Sequence, residues 1–181
     1  PSVYILHGDL TNKEMNALYN HSKIKAMVSF TKAEGFGRPL LEFAACGKPI
    51  ICPYYSGPVD FLKNDFICAL PGQLTNIHDS AKNEFLIKEA KWFTVDYTYA
   101  GKMFEDVINN YKKWSELAKR QRYYVRTNFT KKAISKIYDN IINIIEEQTN
   151  GLPQQVQLQL PKLKSAKQEL PKLKLPKLQK A

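Results

Sequence analysis

No apolar run in these 181 residues approaches the ~20 that a membrane-spanning helix needs, so no helical span is expected. No signal peptide opens the chain. "PSVYILHGDL" has neither a basic leading region nor a cleavage site, which fits a cytoplasmic location. The first residue is proline and leads straight into an apolar run, so the chain reads as one that begins inside a larger protein. Cysteine is scarce: Cys46, Cys52 and Cys68 are an odd number, fit no zinc spacing, and predict buried reduced thiols. His7, His21 and His78 lie too far apart for helical pairing, so no metal site is expected.

Acidic and aromatic residues are nearly absent from the end of the chain. Residues 151–181 hold seven lysines and one glutamate, which is +6 of the net +10. Residues 1–150 are therefore only mildly basic, and overall charge does not argue for a nucleic-acid binder. "PKLK" occurs at 161 and 171 and "PKLQ" at 176. Prolines at that interval prevent a long helix. Residues 148–181 are expected to form a disordered basic tail, at most in weak contact with an anionic membrane surface.

Residues 1–147 are expected to hold one α/β domain. "VYILH" (3–7) predicts a buried strand. "TNKEMNALYN" predicts a helix capped by Thr11, with Glu14 completing a capping box and Met15, Leu18 and Tyr19 as its apolar stripe. "KAMVSF" (25–30) predicts a central strand, "PIICPY" a third and "FICAL" a fourth, with the helix "PLLEFAAC" between the second and third. Gly47 ends that helix. Alternating strands and helices predict a Rossmann-like parallel sheet flanked by helices. From 97 to 147 two or three amphipathic helices are expected to pack on the sheet, the last through Ile134, Ile137, Tyr138, Ile141, Ile142 and Ile145. Residues 111–132 interleave Tyr111, Trp114, Tyr123 and Tyr124 with eight lysines and arginines. A solvated or domain-contacting helix pair accounts for this more simply than a nucleic-acid face.

The stretch "EGFGRPLLE" (34–42) calls for more than a turn. In open parallel sheets ligands sit beyond the carboxyl ends of strands, where loops enter helices. Gly35 and Gly37 let the backbone approach a ligand, and N–H groups at the helix start attract an anion such as a diphosphate. Pro39 removes one donor, and Arg38 adds a charged one. Glu34 lies before the turn and Glu42 is expected just inside the first helical turn. Both carboxylates accept hydrogen bonds and so suit hydroxyls. Hydroxyls flanking a diphosphate describe a nucleotide sugar; a βα turn with incidental surface glutamates satisfies the same spacing.

"EGFGRPLLEFAACGKPIICPYYSGPVDFL" resembles the signature of retaining GT-B glycosyltransferases of the family 4 (glycosyl transferases group 1) type. "VYILHGDLTNKEMNALY" resembles their preceding segment and "NFTKKAISKIYDNII" their closing helix. The resemblance covers roughly 1–147 and is specific across 27–62. It implies the C-terminal, donor-binding half of a GT-B fold, lacking its first part. It implies that Glu34 binds the donor hexose and supports oxocarbenium charge, as the catalytic residue. Gly35, Phe36 and Gly37 would line the sugar and diphosphate, and Arg38 and Leu40 would face the phosphates. Glu42 would accept the ribose hydroxyls, and Gly8 and Leu10 would lie near the base. Ser56–Gly57 matches a second small-residue loop, and Asp60 stands where glutamate is commoner. With no D-x-D in the sequence, a metal-independent transfer is implied.

The resemblance also places an arginine–lysine pair and an acceptor-binding N-terminal domain upstream of this chain. The expected partners are a nucleotide sugar, an unidentified glycan, lipid or protein acceptor, and that domain. No cofactor beyond the donor substrate and no specific nucleic acid is expected. A non-catalytic donor-binding subunit and a basic interaction module are the alternatives.

Overall fold

The computed structural model describes residues 2–83, 86, 87 and 89–149. Of the expected tail 148–181, residues 148 and 149 belong to the last helix, and residues 150–181 lie outside the described residues. The element order begins with helix α1 (Asn12–Asn20), strand β1 (Met27–Val28), helix α2 (Arg38–Ala44) and strand β2 (Ile50–Pro53). Strands β3 (Cys68–Leu70), β4 (Gly72–Asn76) and β5 (Lys91–Val95) follow. The chain closes with helices α3 (Tyr97–Asn109), α4 (Tyr111–Asn128) and α5 (Lys131–Thr149). Short 3₁₀ turns cover Gly57–Asp60, Asn64–Phe66 and Asp79–Ala81.

β1, β2 and β3 form a parallel sheet in that order, with Met27 beside Ile50 and Ile51 beside Cys68. β2 is central and buried at every position, as an apolar strand covered on both faces must be. Its side chains alternate. Ile50 and Cys52 enter one core with Leu40, Phe43, Phe61, Leu62 and Val125, under α2 and the end of α4. Ile51 enters a second core with Cys68, Leu70, Val95, Val107 and Trp114, under α3 and the start of α4.

α4 thus passes from one core to the other, and between Trp114 and Val125 it buries a glutamine. Gln121 is 1% exposed. Its Nε2 donates to Phe61 O at 2.7 Å, and its Oε1 accepts from the Lys63 N–H at 2.8 Å. An amide is suited to this position because it offers a donor and an acceptor to one stretch of backbone.

Three sequence expectations need correction. β1 is an edge strand of two residues rather than a central one, because only β2 pairs with it among the described residues. Val3–Leu6 form no strand and are largely exposed, since a strand needs a hydrogen-bonded neighbour and none is there among the described residues. α5 does not pack on the sheet: Ile137, Tyr138, Ile141, Ile142 and Ile145 stay exposed and the helix buries no residue. The break between the long helices falls at Asn110, whose φ of −113° and ψ of 34° leave the helical range.

β4 and β5 form an antiparallel pair that the sequence did not reveal, tied by a Thr75–Thr94 hydroxyl contact at 2.6 Å. Cys52 and Cys68 are buried and Cys46 is half-buried; all three are free thiols. The 111–132 aromatics are largely engaged in structure. Trp114 is buried and donates to Asp106, Lys63 lies over Tyr124, and Tyr111 donates to Lys25 O, which leaves Tyr123 well exposed.

Candidate functional site

At the carboxyl end of β1 the Ser29 N–H bonds to Ile51 O at 3.0 Å, and the chain then leaves the sheet as a loop. Thr31 Oγ1 donates to Glu34 Oε1 at 3.0 Å, which orients the carboxylate from within the loop. The main-chain oxygen of Glu34 accepts twice, from the Gly57 N–H at 3.0 Å and from Ser56 Oγ at 2.9 Å. The two small-residue loops are therefore in direct contact. A Cβ on Gly57 would lie 2.4 Å from Gly35 O and 2.7 Å from Phe36 Cα, so only glycine fits there. Gly37 takes the left-handed conformation at φ 85° and turns the chain into α2. The Phe36 ring packs on Phe61 at 5.1 Å.

α2 begins at Arg38, so Pro39 is its second residue and Glu42 lies beyond the first turn rather than inside it. One turn separates Arg38 from Glu42, and Arg38 Nε meets Glu42 Oε1 at 2.9 Å. The Leu40 and Leu41 N–H groups both donate to Gly37 O, at 3.0 and 3.3 Å. Fewer helix-start donors are open to an anion than expected. Leu40 does not face outward at all: its side chain is 2% exposed and belongs to the core with Phe43 and Ala44. The expectation that it faces the phosphates is therefore corrected. Its spacing from Phe43 and Ala44 defines the buried stripe of the helix.

A groove of about 620 Å³ runs between α1 and α2. Leu10, Asn16 and Tyr19 line one side, and Arg38, Pro39 and Glu42 the other. Partial burial, and then the nearby Glu42 carboxylate, push the Tyr19 hydroxyl pKa up. The Thr11–Glu14 capping box forms as expected and fixes the helix start beside the groove; the Thr11 N–H donates to Glu14 Oε2 at 2.8 Å. Lys48 Nζ bonds Tyr19 O and His21 O, at 2.6 and 2.8 Å, and so holds the far end of α1.

Leu10, Arg38 and Glu42 thus share the groove, and Glu34, Gly35, Phe36 and Gly37 form the loop that enters its α2 wall. Gly8 is exposed and does not line the groove. Sequence reasoning missed Thr31, Asn16 and Tyr19. Thr31 was findable as a hydroxyl three residues before Glu34; the other two emerge only once α1 is set against α2.

A second cavity of about 500 Å³ is lined by Lys25, Val28, Ile51, Phe104, Val107 and Tyr111, among others. It lies at the β1 edge, is almost wholly apolar and has no carboxylate, so it is not the place for hydroxyl recognition. Among the described residues no cluster of histidine, cysteine, aspartate and glutamate could hold a metal ion. Among them too, no helix is long and apolar enough to cross a membrane.

No curated protein matches the chain. Residues 3–90, which include every site residue named above, match the family model described as Glycosyl transferases group 1.

Proposed function

We propose that the chain is the donor-binding part of a glycosyltransferase that moves a hexose from a nucleotide-diphosphate sugar with retention of configuration and without a metal. The observation that carries this reading is the joining of two carboxylates by one turn. Glu34 is oriented by Thr31 ahead of Gly37, and Glu42 stands beside Arg38 one helical turn beyond it, on a groove of about 620 Å³.

In this reading the base and ribose occupy the groove between α1 and α2, with the ribose hydroxyls donating to Glu42. Arg38 exchanges its carboxylate contact for the diphosphate. The loop 35–37 lines the hexose, and Glu34 accepts from its hydroxyls and faces the positive charge that develops as the anomeric bond loosens. The bond from anomeric carbon to phosphate oxygen breaks and the acceptor oxygen bonds on the same face. The acceptor's proton passes to the departing phosphate.

The test is a thermal-shift titration with UDP, GDP, ADP and their hexose conjugates, on the wild type and on Glu42→Ala. At a hundredfold excess over Kd, binding stabilises by about 2.7 kcal/mol, a rise of roughly 5–10 °C for a chain of this size. Loss of charge-assisted bonds to ribose weakens the variant roughly 10- to 100-fold. Equal stabilisation of both proteins would remove Glu42 from the site. No stabilisation by any compound would refute donor binding by these residues.

A further inference from the structure

Ser56 is the one non-glycine among the described residues at positive φ, with φ 61° and ψ −150°. Side chains rarely take that conformation, and it persists only where surroundings hold it. Here they do. The Ser56 hydroxyl donates to Glu34 O at 2.9 Å, and the next residue donates its N–H to the same oxygen at 3.0 Å. Pro58 is buried, and its Cγ lies 3.0 Å from where a Cβ on Gly37 would be. Residues 56–58 therefore lie along the whole loop from Glu34 to Gly37. Just before them, the Tyr55 ring stacks on Phe93 at 4.8 Å, and the Phe93 N–H donates to Lys32 O at 3.0 Å. The loop that carries Glu34 is held at its start by β5 and at its end by the 56–58 turn.

We propose that Ser56 is a positioning residue of the donor site: its hydroxyl, held in a strained backbone, clamps the Glu34–Gly37 loop and so sets the carboxylate of Glu34 against the hexose. This rests on the donor-site reading above. Glycine would take the same backbone without strain but would supply no hydroxyl. Alanine would keep the strain and lose the bond. The presence of serine at a glycine-type conformation is explained if the hydroxyl is what the position requires.

The consequence is specific to the hexose. The groove that takes the nucleoside is walled by α1 and α2 and does not use Ser56. In Ser56→Ala and Ser56→Gly the extra affinity for a nucleotide sugar over its nucleotide diphosphate should fall roughly three- to tenfold, the effect of one hydrogen bond, while nucleotide affinity stays within about twofold. The probes are UDP-glucose against UDP, GDP-mannose against GDP and ADP-glucose against ADP, measured by calorimetry on the full chain. Ser56→Gly should melt above Ser56→Ala, because it relieves the strain. Even so, both should lose the hexose increment alike. A merely structural serine would instead make both affinities follow the melting temperature.

A second readout needs no ligand. The protection of the Gly57 amide against hydrogen exchange should fall at least about fivefold in Ser56→Ala, while that of the Phe93 amide is kept. Unchanged Gly57 protection, or a hexose increment equal to that of the wild type, overturns the clamp. If the wild type binds none of the six compounds, the donor-site reading fails, and the Gly57 amide alone decides whether Ser56 holds the loop.

Discussion

Replacing Gln121 by leucine tests the link between α4 and the site from behind. The side chain is similar in size, so packing changes little, but two main-chain groups lose their partner. Phe61 O is buried with the residue that carries it, so leaving it unpaired costs about 1–3 kcal/mol. The Lys63 N–H is only partly buried and water can replace part of its bond, so about 0.5–1.5 kcal/mol is lost there. Burial of the added apolar surface returns about 1 kcal/mol. The expected net loss is about 0.5–3.5 kcal/mol, against a total stability of about 5–15 kcal/mol for a domain. Urea unfolding followed by tryptophan emission measures it, since Trp114 sits in α4 seven residues before Gln121. Gln121→Glu adds a pH test. The neutral acid can still donate to Phe61 O, whereas the carboxylate cannot, so the introduced group has a folded-state pKa above its unfolded value of about 4.3. Its stability relative to wild type should therefore be greatest below that pH and be lost as the pH rises through the folded pKa. A leucine variant within about 0.5 kcal/mol of wild type, or a glutamate variant with no such pH dependence, would refute the account of Gln121 as a backbone clamp.

Gly57→Ala should displace the Glu34 loop, because the new Cβ would stand 2.4 Å from Gly35 O. We expect a loss of about 2 kcal/mol or more in urea unfolding, and wild-type stability would show that the loops do not meet. Thiol labelling at pH 8 should find Cys46 first. Burial, and then the neighbouring Cys68, push the Cys52 thiol up to about 12, and burial, followed by Asp106, pushes Cys68 up to about 11. Both should react only on unfolding. Their contribution to stability is complete below pH 9, the ordinary thiol value, and is lost as the pH rises from there through the folded values. Simultaneous labelling of all three thiols in the native protein would contradict this burial.

Local signals were the readable ones. The Thr11–Glu14 box and the Gly37 turn depend on residues within a few positions of each other, and both appear where the sequence puts them. Leu40 shows how a motif can mislead: the resemblance placed it at the phosphates, whereas its side chain lies in the core with Phe43 and Ala44. Strand pairing is the less legible part, because it is settled by a neighbour elsewhere in the chain. Val3–Leu6 have strand-forming side chains and no strand partner among the described residues, whereas β4 and β5 pair across the long connection 77–90 with no tight-turn signal to announce them. The isoleucine period of α5 predicted a helix correctly but says nothing about what covers its stripe.

The two carboxylates and the turn between them could be read from the sequence, but what supports them could not. "EGFGRPLLE" names the carboxylates, but their positions are set from elsewhere. Gln121 fixes Phe61 and Lys63, the 3₁₀ turn Gly57–Asp60 leads directly into that segment, and Ser56 and Gly57 hold the oxygen of Glu34. Each step is a bond to backbone, so sequence pattern does not display it, although one serine and one glycine at its end do. It follows that Glu34 and Glu42 are held by different means. Glu42 is carried by a helix whose Leu40, Phe43 and Ala44 lie in the core, and Glu34 by a loop whose place depends on hydrogen bonds to a strained turn. On the donor-site reading proposed above, nucleoside recognition should therefore survive mild destabilisation that abolishes hexose recognition, because core packing fails only with global unfolding whereas loop contacts open locally at lower free energy.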